Sequence, residues 1–310
     1  MGKSIRVFAP ATVANVACGF DILGFAVNAP GDEVELRLTD NGSVRIIQIT
    51  GDDGRLPSDP ESNTAGVAVL GLLEHLNSSQ GIDITLHKQM PLGSGMGSSA
   101  ASAVAAVYAA NQLLENPLEP GELLPFAMEG EKLACGTAHA DNAAPGLLGG
   151  FVLIRSYEPL DVVPIPTPEN LYCTLLHPMI EVLTDDARKI LKKRIMLKDA
   201  IVQWGNVAGL ITGLITKDFP LIGRSMHDVI IEPVRSVLIP GYDDIKESAI
   251  RAGALGCSIS GSGPSLFALS TSRETAEAAG SAMQEACTGQ GIESQVYISQ
   301  VNQEGPRILE

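Results

Sequence analysis

Apolar and polar residues alternate along short stretches of the first half of the chain, and each such stretch predicts a β-strand. The predicted strands are 4–9, 33–38, 44–49, 82–87 and 151–156, with an Asp40-Asn41-Gly42 turn joining the second to the third as in a hairpin. Apolar residues at helical spacing predict helices over about 64–76, 100–114 and 122–135. Residues 136–146 contain too many helix breakers to be regular, and the proline-dense 159–168 reads as a boundary or an exposed crossover.

The second half mixes more helices with fewer strands. Helices are predicted over 185–193, 198–217, 242–252 and 274–287, and strands over 171–177 and 294–301. A strand, a glycine turn and a second strand are predicted within 257–269. Both halves therefore predict an α+β fold, divided into domains 1–157 and 158–310.

Composition narrows the class of protein. The 310 residues suffice for two domains, and 45% apolar with 18% charged residues is ordinary for a soluble enzyme. A net charge of −15 disfavours nucleic acid and anionic membranes as partners. Five scattered cysteines without a C-x-x-C pair indicate reduced thiols. With neither a signal peptide nor a membrane span in the sequence, we expect a cytoplasmic protein.

The most informative stretch is 91–102, which reads PLGSGMGSSAAS. Gly93, Gly95 and Gly97 allow the backbone to adopt positive φ, and an alanine-rich helix follows. Unpaired amides and the positive end of the helix dipole form an anion site, for which phosphate is the obvious ligand. The P-loop is excluded because no lysine lies between Met90 and Glu131, and the dinucleotide fingerprint lacks its third glycine. A flexible linker, the alternative, does not explain the abrupt change into a helix.

This stretch resembles the nucleotide loop of the small-molecule kinases named after galactokinase, homoserine kinase, mevalonate kinase and phosphomevalonate kinase. The resemblance extends over both halves through five motifs. It implies ATP and Mg²⁺, a ribosomal-S5-like N-terminal nucleotide-binding domain, and a ferredoxin-like C-terminal domain that contributes to the substrate site. It assigns nucleotide contacts to Asn63, Pro91, Leu92, Gly93, Ser94, Gly95, Met96, Gly97, Ser98, Ser99, Ala100 and Ala101.

Magnesium requires a carboxylate together with a hydroxyl or water. Glu131 is the candidate carboxylate, and either Ser99 or Ser98 the hydroxyl, because the resembled kinases use a helix glutamate and a serine of this loop. Without the resemblance, a glutamate on a helix is more often a solvated surface charge.

The segment His139-Ala140-Asp141-Asn142 offers an imidazole, a carboxylate and a carboxamide, although Asp and Asn also favour simple turns. Residues 136–142 are similar to the third-motif loop of the homoserine kinases, whereas mevalonate kinases have Ser-Gly-x-Asp-Asn there. The resemblance makes Asp141 and Asn142 catalytic and His139 a substrate ligand. Asp141 either accepts the proton of the acceptor hydroxyl or orients His139.

An amino-acid acceptor requires guanidinium groups for its carboxylate and an acid for its ammonium. By similarity to homoserine kinases, Arg188 and Arg235 bind the carboxylate, although each alone reads as a surface ion pair. The resemblance adds further residues at the acceptor: Asn15, Asp21, Thr184 and Gly261. Gly261 belongs to the turn 260–264. This turn either closes over phosphate or substrate, or is only a tight hairpin.

The resemblance implies phosphorylation of the side-chain hydroxyl of L-homoserine, on the route to threonine, and a homodimer is only the habit of the family. Two alternatives remain: a kinase of the same superfamily acting on a sugar or isoprenoid alcohol, and a catalytically silent ligand-binding descendant.

Overall fold

The structure, a computed structural model, describes residues 2–136, 139–182 and 184–309, without the side chains of residues 134, 135, 184 and 185. Its strands are β1 Ser4–Ala14, β2 Leu23–Thr39, β3 Val44–Thr50, β4 Gly81–His87, β5 Phe151–Tyr157, β6 Leu160–Ile165, β7 Tyr172–Pro178, β8 Gly256–Ile259, β9 Leu266–Ser270, β10 Ser294–Gln300 and β11 Arg307–Ile308. Its α-helices are α1 Thr64–His75, α2 Ser98–Leu113, α3 Leu124–Cys135, α4 Ala140–Leu148, α5 Thr184–Lys189, α6 Leu197–Thr216, α7 Phe219–Ser225, α8 Glu232–Arg235, α9 Tyr242–Arg251 and α10 Arg273–Gly289. Within these residues no helix is both long and apolar enough to cross a bilayer.

The first sheet runs in the order β11-β1-β2-β4-β3, with β5 pairing both β2 and β6. Helix α2 packs against β1 and β2 on one side and against α1 and α3 on the other. It is therefore buried along most of its length, and its alanines allow this close packing because they project little beyond the backbone. The N-terminal end of this buried helix is the part that faces the site.

The second sheet is antiparallel in the order β10-β7-β9-β8, with α10 packed against β7, β9 and β10. In chain order its strands follow the β-α-β-β-α-β pattern of ferredoxin-like domains. The aromatic rings of Phe25 and Phe151 stack with centroids 4.5 Å apart, and Phe267 of the second sheet meets Phe25 edge-on. One apolar core thus continues from the first sheet into the second.

The α+β prediction is confirmed, and most predicted elements are present. The predicted hairpin at Asp40-Asn41-Gly42 is wrong, because β3 pairs in parallel with β4. The predicted irregular segment 136–146 contains α4. The stretch 159–168 holds β6, which extends the first sheet by pairing with β5.

Other bounds differ as well. Strand β1 continues to Ala14, β2 begins at Leu23, and α5 ends at Lys189 instead of 193. The chain leaves the first sheet between Ile165 and Tyr172 and returns to it at β11. The domain division at 157/158 stays a prediction.

Candidate active site

A cavity of about 410 Å³ lies where the two halves meet. Its wall combines the loop after β1, the glycine loop before α2, side chains of α3 and α4, and residues of α5, α8 and the β8–β9 turn. Most of the predicted site residues therefore face one space, although they come from distant parts of the sequence.

The three glycines of the loop all have positive φ, at 68°, 79° and 70° for Gly93, Gly95 and Gly97. Crowding adds a second reason for glycine at two of these positions. A Cβ at Gly95 would lie 2.5 Å from the Ser260 carbonyl oxygen, and one at Gly97 would lie 2.0 Å from Thr12 Oγ1. Glycine is therefore required at Gly95 and Gly97 for the loop to reach the N-terminus of α2 beside the cavity.

The β8–β9 turn holds the glycine loop in place from the second half. The Ser260 hydroxyl donates to the Gly95 carbonyl at 2.7 Å, and the Ser265 amide donates to the Ser94 carbonyl at 3.2 Å. The turn thus braces the glycine loop, whereas the sequence left open whether it closed over phosphate or was only a hairpin.

A buried ion pair supports the glycine loop from below, and the sequence analysis missed it. The Lys88 ammonium contacts the Asp32 carboxylate and donates to the Ser98 carbonyl at 2.8 Å and to Ser102 Oγ at 2.6 Å. Asp32 also accepts from the Ser98 hydroxyl at 2.7 Å and from the amides of residues 89 and 90. The pair joins β2 and β4 to the first turn of α2. The only sign of this ion pair in the sequence was a lysine between a buried strand and a glycine loop.

Glu131 is buried on α3, with 2% of its surface exposed, and it lines the cavity. Burial raises the pKa of its carboxyl to about 7, while hydrogen bonding by Ser99 and the positive charge of Lys88 act in the opposite direction. Its Oε1 atom has no hydrogen-bond partner. An unpartnered carboxylate oxygen beside a hydroxyl suits a hard cation such as Mg²⁺.

The two serines have different surroundings. The Ser98 hydroxyl donates a hydrogen bond to Asp32, whereas the Ser99 hydroxyl is hydrogen-bonded to Glu131. In the described part of the chain, no group of three or more His, Cys, Asp or Glu side chains could hold a metal. A cation here would need phosphate or water oxygens to complete its coordination, as Mg²⁺ in phosphoryl-transfer sites commonly does.

Helix α4 presents Asp141 and Asn142 to the cavity. Burial, and then the negative charges of Asp21 and Glu131, raise the pKa of Asp141 to about 7. Its Oδ1 atom has no hydrogen-bond partner. Asn142 accepts a hydrogen bond from Thr12 Oγ1 at 2.8 Å, so Thr12 is a second supporting residue that the sequence did not reveal.

The loop after β1 places Asn15 and Asp21 in the left-handed region, with φ of 63° and 59°. Asn15 fixes the loop, because its Oδ1 accepts from the Asp21 amide at 2.8 Å and its Nδ2 donates to the Gly261 carbonyl at 2.9 Å. Local strain of this kind is characteristic of functional loops, and here it directs Asp21 into the cavity.

Arg188, Asp21 and His139 form a polar triangle. Arg188 Nη2 lies 2.9 Å from Asp21 Oδ1 and 3.0 Å from His139 Nε2. Burial lowers the pKa of His139, with Arg188 and Arg235 acting in the same direction and Asp21 against it. A neutral imidazole accepts from the guanidinium through Nε2, which places its proton on Nδ1, 3.7 Å from Asp21 Oδ1.

Arg235 is buried, with 4% of its surface exposed. It donates to the carbonyls of Gly261 and Ala187 at 3.0 and 3.3 Å, and its guanidinium lies 4.9 Å from the Phe20 ring centroid. Burial lowers its pKa to about 10, so it remains cationic at neutral pH.

Gln203 and Asp228, also absent from the sequence analysis, connect the loop after β1 to α8. Gln203 donates to the Cys18 carbonyl and to Asp228 Oδ1, both at 2.9 Å. Asp228 accepts from three amides at the start of α8, the helix that contains Arg235.

The remaining predicted residues occupy varied positions. Asn63 lines the cavity, but its side chain caps α1 and donates to the Pro57 carbonyl at 2.9 Å. Four predicted nucleotide contacts do not line the cavity. Met96, Ala100 and Ala101 are buried elsewhere, and Pro91 is partly exposed. The side chain of Thr184 lies outside the described residues.

Known proteins resemble this chain over both halves. The family model for the GHMP kinases N terminal domain matches residues 63–150, and that for the GHMP kinases C terminal matches residues 210–289. A protein of Chlorobium phaeovibrioides named homoserine kinase is 56% identical, with 99% of this chain and all of the relative covered. The homoserine kinase of Chlorobaculum tepidum is 53% identical, with 99% and 98% covered.

Solved structures agree. The crystal structure of homoserine kinase from Cytophaga hutchinsonii has a TM-score of 0.97 and 65% identity, covering 100% of this chain and 98% of the other. The mevalonate kinase of L. major in complex with R-mevalonate has a TM-score of 0.71 at 17% identity, covering 97% and 99%, which shows the shared fold alone.

Proposed function

This chain belongs to the homoserine kinases, a family of ATP-dependent phosphotransferases within the GHMP kinases, and we propose that it phosphorylates the side-chain hydroxyl of L-homoserine with MgATP. The observation that supports this substrate best is the pairing of Asp21 with Arg188 beside the glycine loop. A free amino acid presents one positive and one negative group, and these two side chains have the matching charges.

The triphosphate binds at the glycine loop. Amides at the N-terminus of α2 and the positive end of its dipole attract phosphate oxygens. The Lys88–Asp32 pair keeps this helix end in register with β4, so Lys88 serves as a positioning residue. Asn63 shapes the neighbouring wall of the cavity, because its side chain caps α1 and holds the Pro57 carbonyl.

Ser99 and Glu131 would hold Mg²⁺, because they supply a hydroxyl and an unpartnered carboxylate oxygen at the cavity wall. When bound, the ion neutralises the negative charge that builds up between the phosphates. Ser99 is preferred over Ser98 for this role, because the Ser98 hydroxyl donates to Asp32.

L-homoserine binds in the same cavity, beside the glycine loop. Its carboxylate pairs with Arg188 and Arg235, and its ammonium with Asp21, while Asn15 and Gly261 fix the loops that present these groups. The Arg188–Asp21 bond in the free enzyme is replaced by two bonds to substrate, so both charges stay compensated before and after binding.

In the transfer, the substrate hydroxyl oxygen forms a bond to the γ-phosphorus, and the bond between that phosphorus and the β–γ bridging oxygen breaks to release ADP. Asp141 is suited to accept the hydroxyl proton, because its Oδ1 atom is unpartnered and its pKa of about 7 lies near neutral pH. Asn142, fixed by Thr12, orients the acceptor beside it.

The test is ADP release measured in parallel with L-homoserine, R-mevalonate and D-galactose. We expect turnover with L-homoserine alone. Turnover with either of the other alcohols and none with L-homoserine would overturn the substrate assignment, and ligand binding without any ADP formation would show a silent descendant.

A further inference from the structure

The aromatic ring of Phe20 lies against both arginines of the cavity, although the ring itself is not part of the cavity wall. Arg235 Cζ is 4.9 Å from the ring centroid, and Arg188 Cζ is 5.7 Å from it. Both distances are within the range over which the face of an aromatic ring attracts a cation. One neutral side chain thus contacts two positive charges that face the substrate.

The two guanidinium groups repel each other. After burial, the positive charge of Arg188 is the strongest influence that lowers the pKa of Arg235. Asp21 compensates Arg188 through their ion pair. Arg235 donates to the carbonyls of Gly261 and Ala187, which carry only partial charge. A ring whose negative face meets both cations adds attraction to each without adding another charge.

The contact with Arg235 should be the stronger of the two. Arg235 is 4% exposed, whereas the side chain of Arg188 is 37% exposed. Attraction between a ring and a cation increases when water is excluded from the cation. The ring is therefore expected to act mainly on Arg235, and to a smaller extent on Arg188.

The backbone on both sides of Phe20 fixes the position of the ring. The Asp21 amide donates to Asn15 Oδ1 at 2.8 Å. The Asp21 carbonyl accepts from the Tyr157 hydroxyl at 3.0 Å. On the other side, the Gly19 carbonyl accepts from two amides of the same turn, at 2.9 and 3.1 Å. The ring is thus held by its own loop and can serve as a fixed platform for the arginines.

We propose that Phe20 is a positioning residue for recognition of the amino-acid carboxylate, because it holds the guanidinium groups of Arg188 and Arg235 together at the cavity. This inference rests on the proposed function. In the free enzyme Arg188 pairs with Asp21, which passes to the substrate ammonium when L-homoserine binds. The ring is the partner that Arg188 keeps in both states, so it limits the movement of the guanidinium during that exchange.

Steady-state kinetics test the proposal. Phe20→Leu keeps an apolar side chain but removes the ring, so the KM for L-homoserine should rise about 5- to 50-fold. The kcat and the KM for ATP should stay within about twofold, because the ring is not part of the cavity wall. With 2-amino-1,4-butanediol, which lacks the carboxylate, the same variant should lose less than about twofold in kcat/KM. Phe126→Leu, at a partly buried phenylalanine that packs against His75, is the matched control and should change neither KM.

Fluorinated phenylalanines at position 20 separate attraction for the cations from simple packing. Fluorine withdraws electron density from the face of the ring and changes its volume little. The KM for L-homoserine should therefore rise about twofold with each fluorine in the series of mono-, di- and trifluorophenylalanine. Fluorinated enzymes with the wild-type KM would make Phe20 a packing residue and overturn the proposal, whatever the behaviour of Phe20→Leu.

Urea denaturation supplies a measurement that does not depend on the substrate. The double variant Phe20→Leu/Arg235→Met should lose less stability than the sum of the two single variants, because each single change already removes the shared contact. Strictly additive losses would overturn the contact between the ring and Arg235. A wild type without turnover of L-homoserine would overturn the proposed function, and the urea measurement would then decide alone whether the ring holds the guanidinium.

Discussion

Arg188 and Asp21 form an ion pair across the cavity, with Nη2 of the arginine 2.9 Å from Oδ1 of the aspartate. The proposed function assigns both side chains to the substrate. The free site therefore compensates its own charges, and an amino-acid zwitterion exchanges that internal pair for two external ones. A neutral alcohol, which can make no such exchange, has to leave the pair intact.

Replacing Arg188 should separate substrate binding from nucleotide binding. We expect Arg188→Ala to raise the KM for L-homoserine about 30- to 100-fold, corresponding to the loss of about 2–3 kcal/mol of charged hydrogen bonding. The KM for ATP should stay within about twofold, because Arg188 contacts Asp21 and His139 and not the glycine loop. Steady-state kinetics check both, with the exposed Arg251→Ala as the control. An equal rise in the two KM values would contradict the assigned role.

The two serines of the glycine loop should respond differently to substitution. Ser99→Ala removes the hydroxyl beside Glu131, so the Mg²⁺ concentration for half-maximal activity should rise about tenfold or more. Ser98→Ala removes the bond to Asp32 and should lower the free energy of unfolding by about 1–3 kcal/mol with little change in Mg²⁺ dependence. Magnesium titrations and urea denaturation of both variants decide which serine binds the metal, and the reverse pattern would assign the metal to Ser98.

The buried Lys88–Asp32 pair should be costly to break from one side. Lys88→Met leaves the Asp32 charge uncompensated and should reduce the free energy of unfolding by about 3–5 kcal/mol. The double variant Asp32→Asn/Lys88→Met should lose less than the sum of the single changes, since it leaves no buried charge. Urea denaturation measures all three variants, and strictly additive losses would show that the two side chains act independently.

Asp141 should decrease stability at alkaline pH. Its pKa of about 7 in the folded state exceeds the ordinary value near 3.9, so the folded protein binds more protons between these limits and stability falls as pH rises. Asp141→Asn should therefore increase the free energy of unfolding at pH 8, by about 1–4 kcal/mol. The gain should shrink as pH falls from 7 towards 4.

The same variant should lose at least about 100-fold in kcat if Asp141 accepts the proton. Denaturation at pH 8 and pH 5 with kinetics at saturating substrate measures both effects. Increased stability with normal kcat would make Asp141 a structural residue only.

The sequence predicted most of the fold because its strands and helices have clear periodicities. Helix α4 was missed because glycines flank it and Pro145 lies inside it. Proline has no amide hydrogen to donate to the Asp141 carbonyl, and that carbonyl lies against Gly24, where a Cβ would approach to 1.8 Å. A glycine in a distant strand thus accommodates the irregularity, and no local pattern could indicate it.

The candidate site was predicted where residues form motifs and missed where they act through distant contacts. Gly93, Gly95 and Gly97 are recognisable because they occupy alternate positions within five residues. Asp32 and Lys88 are 56 residues apart and meet only because β2 and β4 pair. Sequence order likewise gave no sign that Arg188 binds Asp21, 167 residues away, instead of a neighbouring acid.

The most direct test of the account compares L-homoserine with two analogues, each of which lacks one of its charged groups. The measurement is kcat/KM for L-homoserine, for 4-hydroxybutyrate, which lacks the ammonium, and for 2-amino-1,4-butanediol, which lacks the carboxylate. We predict that each analogue loses at least about 100-fold, since it leaves Asp21 or Arg188 without its partner. Arg188→Ala should then discriminate far less against the diol. Equal kcat/KM for all three acceptors would contradict the claim that the Asp21–Arg188 pair recognises an amino acid.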